Sequence, residues 1–383
     1  MPFTGKATYS AGSTLPEIAE DVSDLIAIAA PRETPLLDAL GDPARSAHST
    51  VHEWLEDGML PDQDALVSSG PATLLVVEHA TRFRVGDQIR FEGASEIALV
   101  TAVDTDNDQL TVVRGYGGTA QASPSAGTVI HILGNAALEG GDADEPRFTT
   151  RVRLSNFTQI FSATVEVSGS ELAVRQVGVR DELDYQKSLR ARELLRALEN
   201  SVINGVAATS NPQGGSSVRR TMRGIISYLQ SNRFVVGEDG FPNDATLTES
   251  QLNLALRTIW QRGSGAVDLV LVGGPEKRAI NGFVSSSRRF AASTELFKDL
   301  VSAYESDYGV CRVVLSRHVP TGTVLLLDSS RVEVLPLSGR SFQFQPLSRT
   351  GDRESGQVVG EYTLELRNEA CHGIISGFTN TAS

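Results

Sequence analysis

The stretch Asp181–Ala207, DELDYQKSLRARELLRALENSVINGVA, is the one long helix the chain declares without ambiguity. Ala191, Leu194, Leu195, Leu198, Val202, Ile203 and Val206 recur at three- and four-residue steps, which puts them on one stripe of a helix. Asp181, Glu182 and Asp184 stand in the first turns, where negative charge complements the positive end of the helix dipole. Asp184 with Lys187 and Glu193 with Arg196 are spaced for ion pairs three residues apart. At a rise of ~1.5 Å per residue the helix is about 40 Å long, and one apolar stripe of that length has to lie on something equally long. The chain therefore has a spine that needs a sheet beneath it.

Around the spine, 383 residues with 40% hydrophobic content suffice for two or three modules. The balance of 34 basic against 47 acidic residues, a net charge of -13, argues against duplex binding, since neutralising phosphates is the main source of such affinity. The lysines are Lys6, Lys187, Lys277 and Lys298; every other basic residue is arginine. Arginine suits forked carboxylate pairs at interfaces, although genomic base composition accounts for the bias equally well. Cys311 and Cys371 are too few and too far apart for a metal knuckle or a disulfide framework, which points to a reducing compartment. No run approaches the ~18 apolar residues of a membrane span, so no membrane partner is expected.

Residues 1 to about 16 are Gly-, Ser- and Thr-rich and read as an extended arm, followed by a short helix from Leu15 to Ala29 that Pro31 stops. Ser46–Leu55 (SAHSTVHEWL) and Arg147–Val167 have extended character and look like two arms of one long hairpin. Between them lie five short β-rich runs, ATLLVV (72–77), DQIRF (87–91), EIALVTAV (96–103), QLTVVR (109–114) and TVIHIL (128–133), spaced as in a small barrel or sandwich inserted near the hairpin tip. Beyond the spine, Thr248 opens a second helix with a capping box to Gln251 and a stripe of Leu252, Ala255, Leu256, Ile259 and Trp260, ended by Gly263. AVDLVLVG (266–273) reads as a buried strand, and strands follow near Val310–Ser316, Thr323–Leu327 and Arg331–Leu337, giving an α+β domain. In Glu361–Arg367, Tyr362, Leu364 and Leu366 face one way and Glu361, Thr363, Glu365 and Arg367 the other, as in a half-buried strand suited to lie under the spine.

Fragments that invite a chemical reading each have a plainer one. Asp104, Asp106 and Asp108 open like a calcium loop, but Gln109 stands where Gly is needed and Gly115 where the bidentate Glu belongs. His48, His52 and Glu53 lack the order of a zinc protease motif. Gly273-Gly274-Pro275 joins a strand to a helix without the Walker spacing or its Lys. Arg114–Thr119 (RGYGGT) reads as a tight glycine turn, and Cys371-His372 as core and rim of a final strand. No nucleophile elbow, CxxC or HExxH occurs, so no catalytic residue, cofactor or metal site is expected, and the chain reads as a non-enzyme.

The order of parts carries a resemblance. Thr50–Asp57 (TVHEWLED), Asn156–Ile160 (NFTQI) followed by Val167-Ser168-Gly169, Glu182–Ala191 with Glu199 later in the spine, Arg223-Gly224-Ile225, Thr350-Gly351-Asp352 and Glu361–Gly373 (EYTLELRNEACHG) succeed one another as in the HK97-type fold of tailed-phage major capsid proteins. Within that fold the chain is similar to the SU10-type family. The resemblance implies an N-terminal arm and short helix (1–45), an extended loop going out (46–67) and returning (138–167), an inserted small all-β domain (68–137), a peripheral domain with the spine (168–221), an axial α+β domain (222–350) and a C-terminal strand returning to the peripheral domain (351–383). Val85-Gly86-Asp87, Glu96-Ile97 and Arg114–Thr119 resemble a small β domain recurrent in phage structural proteins.

The function implied is self-assembly through pentamers and hexamers into the icosahedral head of a tailed phage, assembled in the host cytoplasm and ending in the virion. The partners implied are further copies of the chain, a portal and a scaffold or decoration protein, around double-stranded DNA held without sequence-specific contacts. An encapsulin-like cellular compartment is the alternative within the same fold. Trp54, Arg151 and Arg153 are candidates for contacts between subunits, because aromatic and arginine side chains dominate interface energetics; intramolecular core and a solvated strand face are the competing roles. One branch of the family cross-links its shell through a Lys on the extended loop, and no Lys occurs here between Lys6 and Lys187. A shell without covalent cross-links is therefore expected.

Overall fold

The spine is a helix over Glu182–Asn204 in the computed structural model, which describes residues 33–43, 45–69, 73–142, 146–173, 182–263, 266–287, 303–348 and 351–379. The expected arm, the Leu15–Ala29 helix, Asp181 and Thr350 lie outside the described residues. Leu194, Leu198, Val202 and Ile203 form the buried stripe as expected, but Leu195 is partly exposed, and Val206 lies exposed beyond the helix end. Lys187 pairs with Asp184 at 2.8 Å, whereas Glu193 turns back to Arg190 rather than forward to Arg196.

The chain divides into two compact units, Leu55–Arg153 and the remainder. In the larger unit the spine packs on two long antiparallel strands, Gln159–Ser168 and Arg353–Leu366, paired from Gln159 opposite Tyr362 to Ser168 opposite Arg353. Val332–Pro336 and Gln343–Pro346 complete this sheet. The expectation of a half-buried terminal strand is corrected here: Glu361, Thr363 and Glu365 are as buried as Leu364 and Leu366. Both faces are covered, so the alternation marks two kinds of buried neighbour, apolar and ionic, rather than core and solvent.

A second sheet of six strands runs in the order Arg233–Val235, Gly373–Ser376, Thr323–Leu327, Leu269–Val272, Gly309–Leu315 and Ala303–Ser306. Its two central strands are buried on both faces and, Thr323 apart, apolar throughout. Leu269, Leu271, Leu325 and Leu327 join the core of the spine, while Val270, Val272, Val324 and Leu326 face a second core with Leu252, Ala255, Leu256 and Ile259 of helix Glu249–Arg262. The capping box between Thr248 and Gln251 forms as expected. Trp260, assigned to that helix's apolar stripe, is 61% exposed. His372 is fully buried with Cys371 instead of forming the rim of a strand.

The smaller unit is a closed barrel of six antiparallel strands in the order Gln63–Ser69, Leu74–Val77, Gln109–Val113, Ile97–Asp104, Asp87–Phe91 and Val129–Asn135. Five match the β-rich runs in the sequence. The sixth, QDALVSS, escapes notice because Leu66 is its one fully buried apolar side chain and a bulge between Leu66 and Ser68 breaks its alternation. Closure leaves the barrel no free edge. Two strands, Val51–Glu56 and Val152–Phe157, pair into the short ribbon through which the chain leaves and re-enters the larger unit.

Candidate assembly framework and surfaces

The sequence motifs that carry the resemblance converge on the terminal strand. Asn156, fully buried, donates through Nδ2 to the carbonyls of Arg223 at 3.0 Å and Leu364 at 2.8 Å, and its Oδ1 accepts from the Arg223 amide at 2.9 Å. Thr158 donates to Glu361 at 2.6 Å, and the Gln159 side chain accepts from the Met222 amide at 3.1 Å. NFTQI therefore bridges the loop after the spine and the strand beneath it. Thr50 accepts at its carbonyl from the Thr158 amide at 2.9 Å, and Gly169 donates to the Asp352 carbonyl at 3.1 Å, so the motifs at Thr50 and Asp352 join the same framework.

Two buried carboxylates on that strand gather basic side chains from other segments. Glu361 is held by Arg220 at 2.5 Å and Arg340 at 2.9 Å. Glu365 is held by His52 at 2.5 Å, Arg45 at 3.1 Å and Arg367 at 3.3 Å, while Glu333 takes Arg45 and Arg367, both at 2.7 Å. Burial alone would raise the Glu365 pKa, but hydrogen bonds from His52 and Arg45 hold it below the ordinary carboxylate range. Removing one partner of such a network strands a buried charge, which makes the framework specific as well as tight. His52, which lacks the order of a zinc protease motif in the sequence, is a member of this clamp.

The nominated interface residues separate. Trp54 is 8% exposed and packs between His52 and Tyr228, with ring centroids 5.9 and 6.1 Å away, in the main core of the larger unit. Arg151 belongs to the smaller unit, with its side chain 70% exposed and Nε 3.4 Å from Asp57; Arg153 is exposed in the same unit. What the sequence does not reveal is a set of exposed apolar side chains in the smaller unit. Leu55, Met59, Leu138, Phe148 and Val152 are largely exposed, Met59 at 91% and Phe148 at 86%. Leu60 and Phe148 line a groove with Asp57, Arg147 and Arg151, in which Thr149 fixes Asp57 by a 2.6 Å hydrogen bond. Exposed apolar side chains of that size mark interaction sites.

Chemical alternatives do not assemble. Asp104 accepts from the amides of Asp106 and Asn107, an Asx turn, and Asp108 adopts a positive φ of 51°. A buried carboxylate, Glu276, lies against Gly273 at the start of the helix Gly274–Ser287. Asp64, Glu78 and His79 approach one another, but Arg82, 2.8 Å from Asp64, already supplies the cation. Both cysteines are buried thiols, and burial pushes the Cys311 thiol up to about 11. In the barrel, Glu96 is clasped by Arg114 through two 2.6 Å contacts and by the amides of Gly115 and Ala122 at 3.0 and 2.6 Å, so RGYGGT is a carboxylate cradle internal to the fold.

Among solved structures, the chain is similar to the capsid of a native GTA particle, with 10% identity, a TM-score of 0.54 and coverage of 98% of this chain and 99% of that one. It is also similar to the cyanophage A-1(L) capsid, with 14% identity, a TM-score of 0.50 and 95% and 98% coverage. Mycobacterium phage Cain gives 11% identity, a TM-score of 0.50 and 97% and 99% coverage. No curated protein matches. These likenesses fix the fold as the HK97-type capsid fold. The family model of the SU10 major capsid protein matches residues 3–379, nearly the whole chain, and the protein belongs to that family of phage major capsid proteins.

Proposed function

We propose that this major capsid protein closes into the icosahedral head of a tailed phage through pentamers and hexamers, as a non-catalytic part. Assembly in the host cytoplasm around a portal, with a scaffold or decoration protein, precedes enclosure of double-stranded DNA without sequence-specific contacts. In this reading the segments 46–67 and 138–167 are the extended loop, 168–221 and 351–383 build the peripheral domain, and 222–350 is the axial domain at the capsomer centre. Residues 68–137 ride on the loop as an inserted domain. Family membership favours a phage head over an encapsulin-like compartment.

The observation that carries the assembly reading is the apolar surface of segments 55–60 and 138–152, with Met59, Leu138 and Phe148 almost fully exposed. We assign it, with Arg151 and Arg153, to contacts with a neighbouring copy, and Trp54 to the buried footing of the ribbon. Electron microscopy of the purified chain is expected to show closed or sheet-like assemblies with five-fold and six-fold units. Phe148→Asp is expected to leave the fold intact by circular dichroism and to raise the assembly threshold at least about tenfold, a loss of ~1.4 kcal/mol per contact. A wild-type chain that stays monomeric at all concentrations overturns the reading.

A further inference from the structure

Glu199 is the only charged residue among the buried positions of the spine helix. It sits where three segments meet. Its Oε2 accepts the backbone N–H groups of Leu36 at 3.1 Å and Leu37 at 3.3 Å, at the start of the short helix Pro35–Leu40. Its Oε1 accepts the Ser316 hydroxyl at 3.0 Å, just beyond strand Gly309–Leu315, and Ser316 Oγ accepts in turn from the His318 amide at 3.3 Å. The short helix has no side-chain cap from its own Thr34, so the orphan donors of its first turn are satisfied by a residue 163 positions away. One turn further along the spine, Asn204 donates to the His318 carbonyl at 2.7 Å and reinforces the second junction.

The charges around this carboxyl do not neutralise it. Asp38, on the short helix, repels it. Glu33 and Arg317 pair with one another at 3.2 Å, Glu361 beneath the spine is committed to Arg220 and Arg340, and Glu166 to Arg353. Tyr228 on Ile225–Tyr228 donates to the Ser155 carbonyl, and Arg196 and Glu193 belong to the spine itself. His318 is the remaining titratable group on the facing segment, and its Nε2 is buried without a hydrogen-bond partner.

We propose that Glu199 is a proton-operated latch, which fastens the segment entering from the N-terminal arm and the exit of strand Gly309–Leu315 to the spine when protonated and loosens both when ionised. A neutral carboxyl fits the site: its carbonyl oxygen accepts from the Leu36 and Leu37 amides, and the hydroxyl and Ser316 share a hydrogen bond in either direction. An ionised one is favoured by the same three hydrogen bonds, which act to lower the pKa, but burial outweighs them and Asp38 adds to it, with no cation paired to the carboxyl. Burial pushes the Glu199 pKa up to about 7. A folded value above the unfolded one makes the proton's contribution complete below about pH 4.5 and lost as pH rises through about 7. The latch thus changes state near neutrality and acts on the chain's own joint, independently of whether shells form.

Hydrogen exchange of the full-length chain tests it, read by mass spectrometry on peptides covering Leu36 and Leu37 and corrected for the intrinsic pH dependence of exchange. Protection is expected to fall by about thirty-fold between pH 5.5 and 8.5 in the wild type, and to be level across that range in Glu199→Gln, which keeps an acceptor and a donor but does not titrate. Wild-type protection that stays constant after correction overturns the latch even if the variant fails to fold. So does a Glu199→Gln chain that keeps the wild-type slope. Loss of assembly with the slope intact would count against the shell reading and leave the latch standing.

Discussion

His372 shows what a single buried polar residue imposes. Its Nδ1 accepts the Asp328 amide at 3.1 Å and its Nε2 lies 3.2 Å from the Arg367 carbonyl, which fixes the neutral ring with the proton on Nε2. A second proton would set N–H against N–H at Asp328, and burial pushes the pKa down to about 4. A folded value below the ordinary 6.5 gives stability that is complete above pH 6.5 and lost as pH falls through about 4, on the order of 3 kcal/mol in all. His372→Asn is expected to flatten this acid limb in thermal melts while costing ~1 kcal/mol at neutral pH for the lost Nε2 bond. Glu199 has the opposite slope between pH 4.5 and 6.5, so the whole-chain curve hides both and the single variants expose them. Neither role was legible in the sequence. Glu199 follows Leu198 on a helix rich in exposed charge, and Glu361 and Glu365 alternate with apolar residues as a solvated face would; only three-dimensional proximity to Leu36, Arg220 and Arg45 reveals their burial.

Elements meet where side chains are missing. The spine ends at Asn204, and the Gly205 carbonyl accepts the Gly224 amide at 2.8 Å. A Cβ on Gly224 would lie 2.5 Å from the Gly205 nitrogen and 2.8 Å from the Ser201 carbonyl oxygen, both backbone atoms that cannot swing aside. Gly224→Ala is therefore expected to cost about 1–3 kcal/mol in denaturant unfolding, as overpacking does. A cost under ~0.5 kcal/mol would show that the crossing is looser than drawn. Arg223-Gly224-Ile225 thus gains a physical meaning that its sequence only hints at. The same holds in the barrel, where Glu96-Ile97 and RGYGGT, separate signals along the chain, are two halves of one contact between Glu96 and Arg114. Long periodic stretches were readable: the spine, the capped helix and five of the six barrel strands follow from apolar spacing and turn residues alone. What periodicity does not encode is pairing: the two extended arms pair with one another only over a ribbon of six residues on each side, and Gln159–Ser168 of the returning arm pairs with the terminal strand instead.

At the scale of the molecule, the question is what holds copies together. An amide cross-link between side chains needs a lysine whose amine is free to attack, on a segment that reaches another copy. The stretch from residue 7 to residue 186, which includes the whole of the smaller unit, contains no lysine. The lysines among the described residues are both engaged within the larger unit. Lys187 stacks 4.3 Å from the Phe344 ring centroid and pairs with Asp184, and Lys277 donates to the Val313 carbonyl at 3.0 Å, with burial holding its pKa below the ordinary range. On the assembly reading proposed above, a shell of this chain would rest on apolar contacts of the Met59 and Phe148 kind and on arginine–carboxylate pairs, many weak bonds that reverse while a misplaced copy is rejected. Assembled particles boiled in denaturant without reductant are expected to run as a single band at 41.0 kDa. A ladder of dimers and higher species would mean that Lys6 or Lys298, outside the described residues, is linked to a neighbour, and Lys→Arg changes at those two positions would decide between them.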